Sequence, residues 1–189
     1  MVSVLIFLGS PGSGKGTQAL RLSEAFGYQH ISIGDMLRQN VDEVTELGKK
    51  ASEYINLGKL VPDNLIIEMV EFFFRNLLEK KPNKVILDGF PRTQTQAEAL
   101  EKIINELELN LASVIYLDVQ DAVVMSRLSE RGRKDDSPDL VMKRLQVYRD
   151  QTEPLLKFYA NKNVLLTVDG NQPPEEVFIK ISESIKVQA

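Results

Sequence analysis

The sequence predicts a doubly wound α/β fold on a five-stranded parallel sheet. Two observations carry this expectation. Five short, β-rich apolar segments alternate with longer helical ones, and a glycine-rich loop joins the first strand directly to the first helix. Short, near-continuous apolar runs suit a parallel sheet covered on both faces. Strand–helix alternation then implies right-handed crossovers.

The first strand is the apolar run 2–8. It leads through the loop from Gly9 into an amphipathic helix at 14–26. A second strand is expected at 30–33, and a long helical stretch at 35–58 follows, interrupted at Gly48 and Gly58 before Pro62. A helix at 63–80 precedes the strand at 84–87, and a helix at 93–109 precedes the strand at 112–117. Helices at 121–130 and 138–160 lead to the last strand, 164–168. Ser137-Pro138 reads as an N-cap serine before a first-turn proline. Pro173-Pro174-Glu175-Glu176 opens the final helix, 174–187, with carboxylates at its positive end. From Gly34 to Pro82 no strand is expected, which marks a small helical subdomain standing off the sheet. Ligands of such a sheet belong at the carboxyl ends of its strands.

The chain of 189 residues is long enough for one domain with a substantial core. Hydrophobic residues make up 43% and charged residues 26%, the profile of a soluble domain. Its 27 acidic and 23 basic residues leave a formal charge of −4, which argues against nucleic acid or an anionic membrane as the main partner. Without cysteine there are no disulfides and no thiolate metal sites. The apolar start lacks a basic leader region and runs straight into the loop, so it reads as a core strand. No stretch is long enough to span a membrane, and a cytoplasmic location is expected.

Gly9-Ser10-Pro11-Gly12-Ser13-Gly14-Lys15-Gly16-Thr17-Gln18 lies between a strand and a helix, the context of a phosphate-binding loop. Its glycines let backbone N–H groups converge on an anion, and the helix adds unpaired donors and its dipole. Lys15 supplies a mobile charge for the outer phosphates. Asp88 ends the hydrophobic strand Lys84-Val85-Ile86-Leu87 and is the candidate Mg²⁺ ligand, directly or through water. Arg38, Arg92, Arg127, Arg131, Arg133 and Arg144 fall in loops or helix ends near the same region. Arginine forks capture phosphate oxygens bidentately, and so many of them imply a polyanion larger than one triphosphate. His30, the only histidine, reads as a packing residue of a strand.

Five linked motifs carry a resemblance. The loop Gly9 to Gln18, Ile31-Ser32-Ile33-Gly34-Asp35-Met36-Leu37-Arg38, Gly58-Lys59-Leu60-Val61-Pro62, Asp88-Gly89-Phe90-Pro91-Arg92-Thr93-Gln94-Thr95-Gln96 and Arg133-Lys134-Asp135-Asp136 resemble the adenylate kinases in order and spacing. The likeness covers essentially the whole chain. It implies the P-loop NTPase fold and reversible phosphoryl transfer from Mg·ATP to AMP, giving two ADP, by a monomer. Carried over position by position, Gly12, Ser13, Gly14, Lys15, Gly16 and Thr17 would hold the ATP phosphates. Arg131 would touch ATP and Gln172 would lie beside its base. Ile33, Arg38, Lys59, Leu60, Val61, Gly89, Phe90, Pro91 and Arg92 would form the AMP pocket, with Gln96 reading the adenine edge. Lys15, Arg92, Arg127, Arg133 and Arg144 would serve the transfer itself, the last two spanning both nucleotides.

The resemblance further implies a core of 1–31, 62–129 and 138–189, an NMP-binding subdomain of 32–61 and a short lid of 130–137. Three departures stand out. Gly16 occupies the position where phosphate loops generally carry Ser or Thr. The lid is short and, without cysteine, cannot hold a zinc site. Ile33 replaces the Thr or Ser usual in the family. UMP/CMP kinases typically carry asparagines in place of Thr93 and Gln96, so Gln96 favours adenine while Ile33 leaves base choice open. Donor choice between ATP and GTP is open as well. A GTPase is disfavoured because Asn161-Lys162-Asn163-Val164 lacks the final aspartate of the guanine-reading motif. A non-catalytic nucleotide-binding factor is disfavoured by the presence of Lys15, Asp88 and the arginines.

Overall fold

Strand β1 (Ser3–Leu8) is buried along almost its whole length at the middle of a five-stranded sheet. Its neighbours are β3 (Lys84–Asp88) and β4 (Asn110–Asp118), with β2 (Gln29–Ser32) and β5 (Leu165–Asp169) at the edges. Every pairing is parallel, and the spatial order is β2-β3-β1-β4-β5. The connections after β1 and β4 leave in opposite directions. That reversal opens a crevice at the carboxyl ends of the strands. The computed structural model describes residues 1–79, 82–133 and 135–187. Lys80, at the end of the helix predicted at 63–80, and Lys134 of the polar motif lie outside the described residues.

Alternation along each strand sorts the core into two layers. Val4, Ile6 and Leu8 join Val85 and Leu87 on one face, packed by α4 (Asp63–Glu79) through Ile66, Val70 and Phe74 and by α5 (Gln94–Glu106) through Leu100 and Ile103. Leu5 and Phe7 join Ile86, Ile115 and Leu117 on the other, packed by Ala19 and Leu22 of α1 (Lys15–Phe26) and Val177 and Ile181 of α9 (Pro174–Val187). Both faces are covered, which is why β1 reads as an unbroken apolar run. A smaller cluster joins Val124 and Leu128 of α6 (Asp121–Arg131) to Val141 and Leu145 of α7 (Pro138–Val147). No helix of the described residues is long and apolar enough to cross a membrane.

The structure corrects several sequence-based boundaries. The helical stretch at 35–58 is two helices, α2 (Ile33–Asp42) and α3 (Glu46–Ile55). They part at Val44, whose φ of 54° is left-handed, and the Thr45 hydroxyl then caps α3 by accepting the Gly48 N–H. Gly48, read as an interruption, lies inside α3. A Cβ there would come within 1.9 Å of the Asn40 carbonyl oxygen, so this glycine permits α2 and α3 to pack backbone to backbone. Ile33 is the first residue of α2, not the last of a strand, because Ser32 accepts the Asp35 N–H and starts the helix. The stretch at 138–160 is also divided, into α7, a π-helical turn (Tyr148–Thr152) and α8 (Leu155–Ala160). Ser137 does hold the N-cap position before Pro138, but its side chain makes no capping bond.

Candidate active site

The loop after β1 curls back on itself ahead of α1. Gly12 has φ +81°, and a Cβ there would meet Leu128 Cγ at 2.7 Å, so a side chain would meet both backbone strain and a collision. No side chain caps α1 at Gly14, which leaves the helix N-terminus to attract an anion. Lys15 turns its ammonium inward, donating to the Gly9 and Ser10 carbonyls at 2.8 Å each and to Ser13 Oγ at 3.4 Å. Desolvation pushes its pKa from the ordinary 10.5 down to about 8. Asp88 opposes that fall, while Arg92, Arg144 and Arg131 add to it.

Asp88 closes β3 in register with Phe7 of β1 and Ser32 of β2, so its carboxylate stands at the carboxyl edge of the sheet. A Cβ built on Gly16 would lie 3.5 Å from its Oδ2, which places the carboxylate against the first turn of α1. His30 Nε2 lies 3.5 Å from the same oxygen. That nitrogen is buried without a hydrogen-bond partner among the described residues, and His30 lines the cleft. The ring is mostly buried within β2, as the packing reading expects, and it lines the cleft as well. Parallel register with β3 brings β2's inward-facing residues to the cleft, a relation no local pattern around His30 announces.

The arginines converge on the same space with different partners. Arg92 Nε donates to the Gly89 carbonyl at 2.8 Å, and its own carbonyl accepts the Thr152 hydroxyl at 2.8 Å. Arg127 reaches the Gly170 carbonyl at 2.9 Å and the Ser13 carbonyl at 3.4 Å. Arg131 grips Asp136 through two bonds of 2.8 and 2.6 Å. Arg144 pairs with Asp135 at 2.9 Å and with Asp136 at 3.3 Å, and Arg38 pairs with Asp35. Burial, then mutual repulsion, lowers the pKa of Arg92 and Arg133. Arg144 is lowered by burial too, with Asp135 opposing. Desolvation would raise Asp136, but the bonds from Arg131 and the Arg133 N–H hold it below the usual carboxylate range. The cleft is a region of concentrated positive charge in a chain of net charge −4.

Most of these residues line one cavity of about 990 Å³. The phosphate loop after the central strand β1 lines it, with Lys15, Asp88, Arg92, Arg127 and Arg144. Asn171 and Gln172, which follow the edge strand β5, line it too, and the Gln172 amide donates to Asp169 at 2.9 Å. Arg38, Lys59 and Leu60 come from the segment that follows the opposite edge strand, β2. Arg131, Arg133, Gly89 and Pro91 also line it. A second cavity of about 60 Å³ is lined by Ile33, Val61 and Gln96, and shares Lys59, Leu60, Gly89 and Arg92 with the first. Phe90 lines neither, being fully buried in the core, so that position can offer a ligand only its backbone.

The family model described as adenylate kinase matches residues 7–164. The chain belongs to the adenylate kinase family. Among similar curated proteins, an adenylate kinase of Synechococcus sp. (strain CC9902) is 45% identical over 96% of this chain and 97% of its own length. Adenylate kinase 1 of Nostoc sp. (strain PCC 7120 / SAG 25.82 / UTEX 2576) is 47% identical over 92% and 93%. An adenylate kinase of Thermus thermophilus is 41% identical over 97% of both. Family membership makes the chain a nucleotide-binding phosphotransferase on a P-loop fold. Every arginine of the adenylate kinase cleft lies inside the matched segment, whereas Gln172 lies beyond it.

Proposed function

We propose that this chain transfers the terminal phosphoryl group of Mg·ATP reversibly to AMP, giving two ADP, with the donor at the Gln172 end of the cleft and the acceptor at the Arg38 end. The observation that carries this reading is one cavity of about 990 Å³ lined by the loop after the central strand and by residues that follow both edge strands, Arg38 after β2 and Gln172 after β5. Two nucleotides bound from opposite ends would meet with their phosphates at Lys15 and the arginines. No nucleophile or general base is required of the protein, because phosphoryl transfer depends chiefly on alignment and charge stabilisation.

In this scheme Gly12 to Thr17 cradle the donor phosphates and Lys15 follows the transferred group. Arg92 and Arg38 hold the acceptor phosphate, while Arg127, Arg131, Arg133 and Arg144 offset charge on the oxygens between. The Asp88 carboxylate supplies a hard oxygen donor beside the first turn of α1, and the hydroxyl-bearing Ser13 and Thr17 line the same cavity, a chemistry that suits a hard cation which keeps most of its waters. Asp88 would hold Mg²⁺ through water, and the ion would neutralise charge on the phosphates. Residues 32–61 act as the acceptor subdomain and 130–137 as a short lid; lid closure against water is a role for which adenylate kinase is itself a standard example.

The test is a coupled assay of AMP, CMP, UMP, GMP and their deoxy forms, each against ATP and GTP with Mg²⁺. Preference for AMP with ATP is the expected result. Equal or better use of CMP or UMP would reassign the acceptor.

A further inference from the structure

We propose that Asp63 determines acceptor-base specificity by fixing the orientation of the Gln96 amide. This rests on the reading that the acceptor base lies at the small cavity lined by Gln96. Asp63 opens α4, and Gln96 lies in the first turn of α5, 33 residues away.

Gln96 is only 2% exposed, and both ends of its amide are engaged. Its Oε1 accepts the Arg92 backbone N–H at 2.8 Å, and its Nε2 donates to Asp63 Oδ1 at 2.7 Å. A backbone N–H can only donate and an ionised carboxylate can only accept. Turning the amide over would set N–H against N–H and carbonyl against carboxylate. The Asp63 carboxylate is itself held, because the Thr93 hydroxyl donates to its other oxygen at 2.9 Å. Thr93 Oγ1 in turn caps α5 by accepting the Gln96 N–H at 3.2 Å. Each member of this ring fixes the next.

Two hydrogen-bonding positions of the amide remain uncommitted among the described residues: one N–H and one lone pair of Oε1. Side by side, they match a base edge that presents an amino donor beside a ring-nitrogen acceptor, as adenine does. A 6-oxopurine presents the opposite order, an acceptor at the exocyclic position beside a ring N–H. With the base held by its phosphate and by the walls at Ile33 and Val61, only one order fits a fixed amide. A freely turning glutamine would accept both. Discrimination then depends on Asp63, which need not touch the base.

The test compares AMP with inosine monophosphate as acceptors. In Asp63→Asn the partner can donate as well as accept, so the kcat/KM ratio of AMP to inosine monophosphate should fall at least tenfold, through the two KM values. An unchanged ratio in Asp63→Asn, with a ratio that collapses in Gln96→Ala, overturns the role of Asp63 alone. A ratio unchanged in Gln96→Ala overturns the placement of the base at Gln96 instead. A measurement on the unsubstituted chain covers the case of a misfolded variant. By NMR, the Gln96 Nε2 proton that faces Asp63 should exchange with solvent far more slowly than those of an exposed glutamine amide, and it should lose that protection in Asp63→Asn. Exchange of both protons at the rate of an exposed glutamine amide would also overturn the proposal.

Discussion

Thr152 and Arg92 stand 60 residues apart in the chain, and the Thr152 hydroxyl donates to the Arg92 carbonyl at 2.8 Å. Thr152 ends the π-helical turn between α7 and α8, a local widening of the kind that often accompanies functional sites. The turn thus holds the backbone from which the Arg92 fork projects. Thr152→Val keeps the shape and removes the donor. It should lower kcat/KM for AMP by roughly 2- to 12-fold, the worth of a neutral hydrogen bond at about 0.5–1.5 kcal/mol, and leave the ATP KM unchanged. Equal losses for both nucleotides in steady-state kinetics would contradict this.

Arg92→Ala should damage use of AMP more than binding of ATP. Arg92 lines both the large cavity and the small one, where the acceptor is proposed to bind. Losing a charge-assisted contact typically costs about 1.5–3 kcal/mol, roughly a factor of 10 to 150. Separate titrations of ATP and AMP check the assignment; a loss confined to ATP would reverse the two ends.

Lys15→Met should slow phosphoryl transfer by about 100-fold or more while the chain melts as a folded protein. The ammonium is surrounded by carbonyls and the Ser13 hydroxyl in the loop itself, and methionine preserves its length without its charge. Turnover and thermal melting measured together decide it.

The same lysine links binding to pH. Its pKa is about 8 in the folded chain against an ordinary 10.5, so between these values the unfolded chain holds a proton that the folded chain lacks. Stability of the free protein should therefore rise with pH across that window on account of this group. A bound triphosphate favours the charged lysine, so ATP binding at pH 8.5 should take up protons. Calorimetry in buffers of different ionisation enthalpy measures the uptake, and Lys15→Met should abolish most of it.

Ile33→Thr should change the AMP KM and leave the ATP KM within about twofold. Ile33 is 2% exposed, belongs to the core and lines only the small cavity. The new hydroxyl enters an apolar setting, so melting should also fall, consistent with about 1–3 kcal/mol for an unpaired buried hydroxyl. A lower melting temperature with untouched AMP kinetics would make Ile33 a core residue only.

The layered sheet and the phosphate loop were legible because their signals are local. Continuous apolar strands, a glycine loop and a strand-end aspartate each occupy fewer than about ten residues. What stayed hidden depends on distance or on ambiguous residues. Glycine serves both breaks and close packing, so Gly48 looked like an interruption while the real break fell at Val44, a residue with no turn signature. Phe90 stands within a motif of cleft residues yet packs in the core. The contacts of His30 with Asp88, Asp63 with Gln96 and Thr152 with Arg92 exist only once β2, α4 and the π turn are brought to the sheet's edge.

Asp135 and Asp136 hold Arg131 and Arg144 by geometry that a phosphate could also supply. In the proposed site, an arriving nucleotide would exchange one oxyanion for another at these forks and would not strip water from bare guanidinium groups. At departure the reverse exchange would let the two aspartates reclaim their arginines. On that scheme the chain carries its own leaving aid, and stronger carboxylate grips would shorten the stay of a product pair.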